Sequence, residues 1–342
     1  MTCDSCLALK ESLKEGFVNP DRGVCGIGVG SHARFGHHIL AYVERGADVP
    51  DMIGGVRVRR KYTEPVRSRS MRKYPVVRTL DSFVRPVSGG NSGGAYSSLL
   101  GGYVTGTVGL AFQTPDGKTL ILSNGHVLGL DTVQRGGATI GAPLFQPGTY
   151  FGGSLGKDNF ATLYRWGKLD EVKPNTLDWA TGLVTNPADV SLGVLNVGTP
   201  AVVADPLAGM PVLKMGALSG LTRGTVIDTN ATIDVDYEGL FIATFDDQVV
   251  IEGAGGPFAI PGDSGSVALA TVGGQLVVTG LVFSGSPSIA VANKMTLVQQ
   301  AAGSSLAVAA LLQTTTPGSP LSVATLAVVG AVSSFLTRGA TP

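Results

Sequence analysis

Cysteine is scarce in this sequence. Cys3, Cys6 and Cys25 are the only three, and an odd trio cannot build a disulfide framework, so a reducing compartment is expected. Charged residues make up 15% of the 342 positions, too few for a solvating, disordered chain. Aromatics stand at 6%, and no stacking pattern accompanies the basic residues, which weakens a nucleic-acid reading. A long apolar run is missing as well. Residues 321–336 are the most apolar stretch, but glycine and serine interrupt it and it is too short to span a bilayer, so it reads as a packed or interfacial helix. The start has no basic end followed by an apolar run, hence no signal peptide, and a cytoplasmic location is expected.

Glycine, by contrast, is abundant. Its 49 copies, with 19 prolines and 44% hydrophobic residues, suggest many short strands joined by tight turns around a real core. Net charge is formally zero but unevenly spread: ten bases and two acids lie between Arg57 and Arg85. This stretch reads as a solvated linker, with an acidic partner as the alternative.

The chain divides on texture. Residues 1–60 form a small α+β unit that opens with a helix closed by Pro20. Residues 61–100 have the composition of a basic Gly/Ser-rich connector. From 101 to 315 short apolar runs alternate with turn signals such as TPDGK, whose Asp-Gly supplies the positive φ of a hairpin. Closely spaced strands of this kind suggest an antiparallel barrel or sandwich. A closing helix is expected over 293–313, and an apolar tail helix within 316–342.

The strongest chemical signal is PGDSGS at 261–266. A serine is a poor nucleophile unless a base activates it and donors receive the oxyanion. Glycines at 262 and 265 let the backbone turn so that the amides of Gly262 and Ser264 converge on one developing charge. Of four histidines, His126 stands directly after the apolar run LILSNG. Asp178, in NTLDWATGLV, opens an apolar strand, where burial demands a partner. Asp158 and Asp170 lie in polar sequence and are weaker. The order His126, Asp178, Ser264 matches that of a Ser-His-Asp triad.

These motifs resemble the chymotrypsin-like serine proteases: NGHV, LDWATGLV and PGDSGS stand where that family carries its histidine, aspartate and serine motifs. The similarity is closer to the trypsin-like branch of bacteria and plants that includes the plant narrow-leaf protein. LSNGHVL (122–128) matches its histidine motif with Gly125 in place of an asparagine, and stretches 220–226, 228–232 and 247–251 follow in order. The resemblance spans about residues 23–300. It implies a mainly β fold of two six-stranded antiparallel barrels. It also implies a serine endopeptidase acting on proteins or peptides without a cofactor or metal. Its specificity pocket would involve Phe258, Phe283 and Gly285; with no acid at 258, cleavage after Lys or Arg is not expected, and small or apolar side chains are.

Two further functions remain open at this level. One is a partner-gated or catalytically silent scaffold on the same fold; the other is self-processing, with the 61–100 or 313–320 segment cut in cis. Two motifs are read as decoys. GVGSHA (28–33) has dinucleotide-fingerprint spacing, but the following HHILAYVE reads as strand rather than helix. Cys3, Cys6, Cys25 and His32 lack zinc-site spacing beyond the first pair. The oligomeric state is not encoded in any motif.

Overall fold

The computed structural model describes residues 3–32, 36–68 and 83–303. The elements of the N-terminal part are α1 (Cys3–Phe17), β1 (Val24–His32), β2 (Gly36–Val43), β3 (Met52–Ile53), β4 (Val56–Tyr62) and β5 (Arg67–Ser68). A short β6 (Val87–Gly89) leads into β7 (Ser92–Ser97), β8 (Gly102–Thr107), β9 (Leu110–Gln113) and β10 (Thr119–Ser123). Then come the single turn α2 (Gly125–Leu128), β11 (Pro143–Phe145), β12 (Asn159–Trp166) and β13 (Ala180–Val184). After β14 (Val190–Val194) and β15 (Val202–Val203) follow β16 (Pro211–Gly216), β17 (Gly220–Asp236), β18 (Ile242–Gly253), β19 (Val267–Val272), β20 (Gln275–Gly285) and β21 (Ala290–Lys294). The last described helix is α3 (Met295–Ala302).

The fold is mainly β and contains two closed rings. The order β8-β7-β11-β12-β13-β10-β9 closes the first, because β8 and β9 are consecutive pieces of one bent strand that pairs with β7 at one end and β10 at the other. The second runs β16-β19-β20-β21-β18-β17 and closes through β16–β17 pairing. Both are six-stranded and antiparallel when β8 and β9 are counted together.

Strand β10 explains how the rings join. Its TLILS is buried at every position, so it reads as an unbroken apolar run rather than an alternation. Ile121 points into the first barrel with Ala95, Leu144 and Ala161. Leu120 and Leu122 point the other way, packing with Val267, Leu269, Val278 and Leu281 of the second. Burying a Leu fully is worth roughly 1.5–3 kcal/mol, so this seam fixes the barrels firmly.

Two regions differ from the sequence reading. The GGNSGGAYSS segment, expected as connector, contributes barrel strand β7. Its glycines are required by close approach: a side chain on Gly94 would run into the Val104 carbonyl, and one on Gly93 would meet Val108 at 2.9 Å. The N-terminal unit is not set apart either. β1 pairs with the far half of the long β17 (Gly26↔Ile233, Ile27↔Thr232) and extends the second barrel's sheet through β2 and β4. The glycines of GIGVG are strand residues. A Cβ on Gly28 would collide with the Asp228 carboxylate, and one on Gly30 would meet the His38 ring at 2.5 Å. Helix α3 begins at Met295 and is capped by Gly303 with φ 66°, and the 304–313 part of the expected closing helix lies outside the described residues. The tail-helix expectation for 316–342 lies outside the described residues, as does the 69–82 part of the basic stretch.

Candidate active site

Antiparallel pairing brings the first two candidates together. Ser123 at the end of β10 sits opposite Ala180 at the start of β13. His126, three residues past one strand, and Asp178, two before the other, therefore emerge at the same barrel edge. Asp178 is fully buried, and its two oxygens share the work. Oδ2 lies 2.5 Å from His126 Nδ1 and accepts from the Tyr237 hydroxyl at 2.9 Å, while Oδ1 accepts the His126 backbone amide at 3.1 Å. Asn293 Oδ1 accepts the Asp178 amide at 2.9 Å, and Asn124 Nδ2 donates to its carbonyl at 2.8 Å. This network fixes the carboxylate and orients the imidazole. Burial and the neighbouring carboxylate raise the Tyr237 pKa well above its usual value, keeping the hydroxyl a donor.

The other side of the imidazole is different. His126 Nε2 is buried and has no hydrogen-bond partner among the described residues. A buried imidazole nitrogen without a partner is costly, and such an atom marks a place where another group belongs.

Ser264 lies in a tight loop from the second barrel. Gly262 and Gly265 take φ of 99° and 94°, conformations that suit glycine. A Cβ on Gly265 would also run into Ser123 and the Thr107 carbonyl. Thr107 of the first barrel clasps this loop: its amide donates to the Ser264 carbonyl at 2.7 Å and its hydroxyl to the Gly262 carbonyl at 2.8 Å. Gly106 separates the two halves of the site, with space on it limited by Val127 on one side and the Ser264 carbonyl on the other. The Ser264 hydroxyl donates to the Phe283 carbonyl at 3.1 Å, and Ser264 has no solvent exposure. Among the described residues, nothing accepts from the amides of Gly262 or Ser264.

Asp263, between these two, faces inward. Its Oδ2 pairs with Lys214 Nζ at 3.0 Å, and both side chains are completely buried. The carboxylate also accepts the amides of Leu218, Ser219 and Ile260, and Lys214 donates to Ser219 Oγ at 2.6 Å. Burial lowers the lysine pKa, against the pull of the Asp263 charge. Sequence reading missed Lys214, Tyr237, Asn293 and Thr107. One signal was available for the lysine: in PVLKMG it shares the strand face of Val212, an inward position.

The pocket candidates separate. Phe258 packs in the second barrel with Val212, Val226 and Ile251, its ring 5.7 Å from Lys214 Nζ. Phe283 belongs to an aromatic cluster with Tyr237 and Phe245, and Gly285 ends β20 beside it. Asp170 and Asp158 are bound elsewhere, to Gln134 and Ser154. Among the described residues no three or more His, Cys, Asp or Glu side chains gather as a metal site. Burial pushes the Cys25 thiol up to about 12, with the Glu44 charge adding to it, the opposite of what a metal thiolate needs. A cavity of about 250 Å³ lies elsewhere, lined by residues that include Tyr96, Leu128, Leu130 and Leu163.

No protein-family model matches the chain. No curated protein matches its sequence. Among solved structures, protease A of Thermobifida fusca aligns with 64% of this chain and 97% of its own at 19% identity and a TM-score of 0.44. A Nocardiopsis protease aligns with 64% and 98% at 17% identity and a TM-score of 0.43. A Cellulomonas bogoriensis chymotrypsin aligns with 64% and 97% at 20% identity and a TM-score of 0.43.

Proposed function

We propose that the chain is a serine endopeptidase. Ser264 Oγ attacks the peptide carbonyl and its proton passes to His126 Nε2. The imidazolium returns that proton to the leaving amine, and water then hydrolyses the acyl-enzyme by the same route. Asp178 holds the imidazole tautomer and stabilises its cation. The amides of Gly262 and Ser264 receive the tetrahedral oxyanion. Phe283 and Gly285, next to Ser264 through its bond to the Phe283 carbonyl, would shape a pocket for small or apolar side chains, in keeping with the resemblance to the bacterial and plant trypsin-like branch. The supporting observation is the Asp178–His126 pair, bonded through Nδ1 on one side and left with a buried Nε2 that has no partner among the described residues on the other.

The test is labelling by a fluorophosphonate, with the site mapped by mass spectrometry. Wild type should label at Ser264, and Ser264→Ala should neither label nor cleave peptides. Cleavage by the alanine variant at the wild-type rate would overturn the assignment. A second reading, a latent protein on the same fold, has its own support: the Ser264 hydroxyl is given to the Phe283 carbonyl and is closed to solvent.

A further inference from the structure

We infer that residues 63–68 are a built-in blocking strand, seated on the sheet edge where a peptide presented to Ser264 would lie. This rests on the protease reading and concerns how that site is regulated. Up to Val282, one side of β20 is occupied by β19 and the nucleophile loop, through Gly265 N to Val282 O and Val282 N to Ser266 O. Beyond that point β21 still pairs on the opposite side, with Ser284↔Val291 and Gly285↔Ala290. The side facing the nucleophile loop is taken by β5, antiparallel, with Ser284↔Ser68 and Gly285↔Arg67.

This edge is special because Ser264 Oγ is bonded to the Phe283 carbonyl, one residue before Ser284. A peptide whose carbonyl reaches Ser264 has to extend along 283–285, and strand addition to an open edge is the general way an extended peptide is held. Residues 67–68 make that addition from within the chain. Their N-to-C direction runs toward Phe283, and so toward the nucleophile.

The segment is fastened along its length. Val66 is buried in the aromatic cluster with Tyr237 and Phe283. Its carbonyl accepts the Asp236 amide at 3.0 Å, and the Arg67 carbonyl accepts from Ser284 Oγ at 2.9 Å. The hydroxyls of Thr63 and Ser286 bond at 2.6 Å, and Ser288 Oγ donates to the Tyr62 carbonyl at 3.3 Å. The Arg67 guanidinium stands 3.6 Å from Asp236, an exposed pair of small worth. The backbone part of this attachment is a strand pairing, which a competing strand can take over, while Val66 and the Thr63 hydroxyl hold the segment from buried positions.

Three full-length proteins decide the matter: wild type, Arg67→Pro and Arg67→Glu. Proline cannot donate to a strand ladder, and glutamate sets a like charge against Asp236. Hydrolysis of fluorescently labelled casein and the rate of fluorophosphonate labelling at Ser264 are read together. Casein hydrolysis rises at least tenfold in Arg67→Pro and severalfold in Arg67→Glu, and labelling accelerates in the same order. Equal rates in all three proteins, with Ser264 labelled in each, overturn the blocking strand and leave the protease reading intact. No labelling in any of the three, with the fold retained, overturns the protease reading instead. Amide exchange over residues 283–286 then reads the strand alone: faster exchange in Arg67→Pro upholds its docking, and unchanged exchange overturns it.

Discussion

Two fully buried acid–base pairs, Lys214–Asp263 and His126–Asp178, are built to opposite ends. Lys214–Asp263 is bonded from both sides: the ammonium has two acceptors, and the carboxylate takes the lysine and three backbone amides. Asp178–His126 is saturated on the carboxylate and open on the imidazole, whose Nε2 has no partner among the described residues. A pair bonded this closely within the fold is suited to holding shape. An open pair has capacity left for a reacting group. The contrast is what the proposed assignment predicts: a pair that only holds shape beside a pair that takes part in chemistry.

The sharpest break is Asp178→Asn. The amide keeps the shape and one acceptor, but its nitrogen faces His126 Nδ1 and favours the wrong tautomer. Turnover should fall by on the order of 10⁴, read as kcat on a peptide substrate, while the protein stays folded. A variant with turnover near wild type would show that the open side of the imidazole has no chemical role.

Lys214→Met should do the reverse. It leaves the Asp263 carboxylate buried without its cation, which costs about 3–5 kcal/mol. The denaturation midpoint should fall in proportion. Any loss of activity should follow from the displaced 262–264 turn. Unchanged stability with lost turnover would mean that this pair also takes part in the chemistry, and the contrast would collapse.

The two pairs also differ in how far the sequence revealed them. His126, Asp178 and Ser264 each sit in a local motif, because a strand end or a glycine turn is written in a few adjacent residues. The partners that complete them are set by long-range register. Tyr237 reaches Asp178 from the end of a seventeen-residue strand, and Lys214 reaches Asp263, 49 residues on, from β16, the neighbour of β19. Neither distance is visible in neighbouring residues. Composition misled in one place for a physical reason: GGNSGGAYSS is glycine-rich because strand β7 packs tightly against other backbone, not because it is a loose linker. The strand stripe of Gly26, Gly28 and Gly30 was legible as period two, but the groups it makes room for were not.

A third buried carboxylate completes the comparison: among the described residues no cation bonds to it, and only the charge of Lys10 nearby acts on it. Asp228 accepts from the Tyr42 hydroxyl at 3.0 Å and the Asn230 amide at 2.9 Å. Burial raises its pKa to about 6, and the two hydrogen bonds offset only part of that. The unfolded chain titrates this group near 3.9. Between those values the folded state holds a proton that the unfolded state has released, so stability falls as pH rises from about 4 to about 6. The penalty is complete above that window, at up to about 3 kcal/mol. Asp228→Asn removes it: the amide carbonyl still accepts from Asn230, and the Tyr42 hydroxyl can turn to accept from the amide nitrogen. Urea midpoints at pH 4, 5, 6 and 7 should show the variant gaining on wild type through the window and holding its lead above it. A difference that stays constant with pH would mean that Asp228 titrates in the fold as it does in the unfolded chain. Its local environment would then have to stabilise that charge as fully as Lys214 does for Asp263.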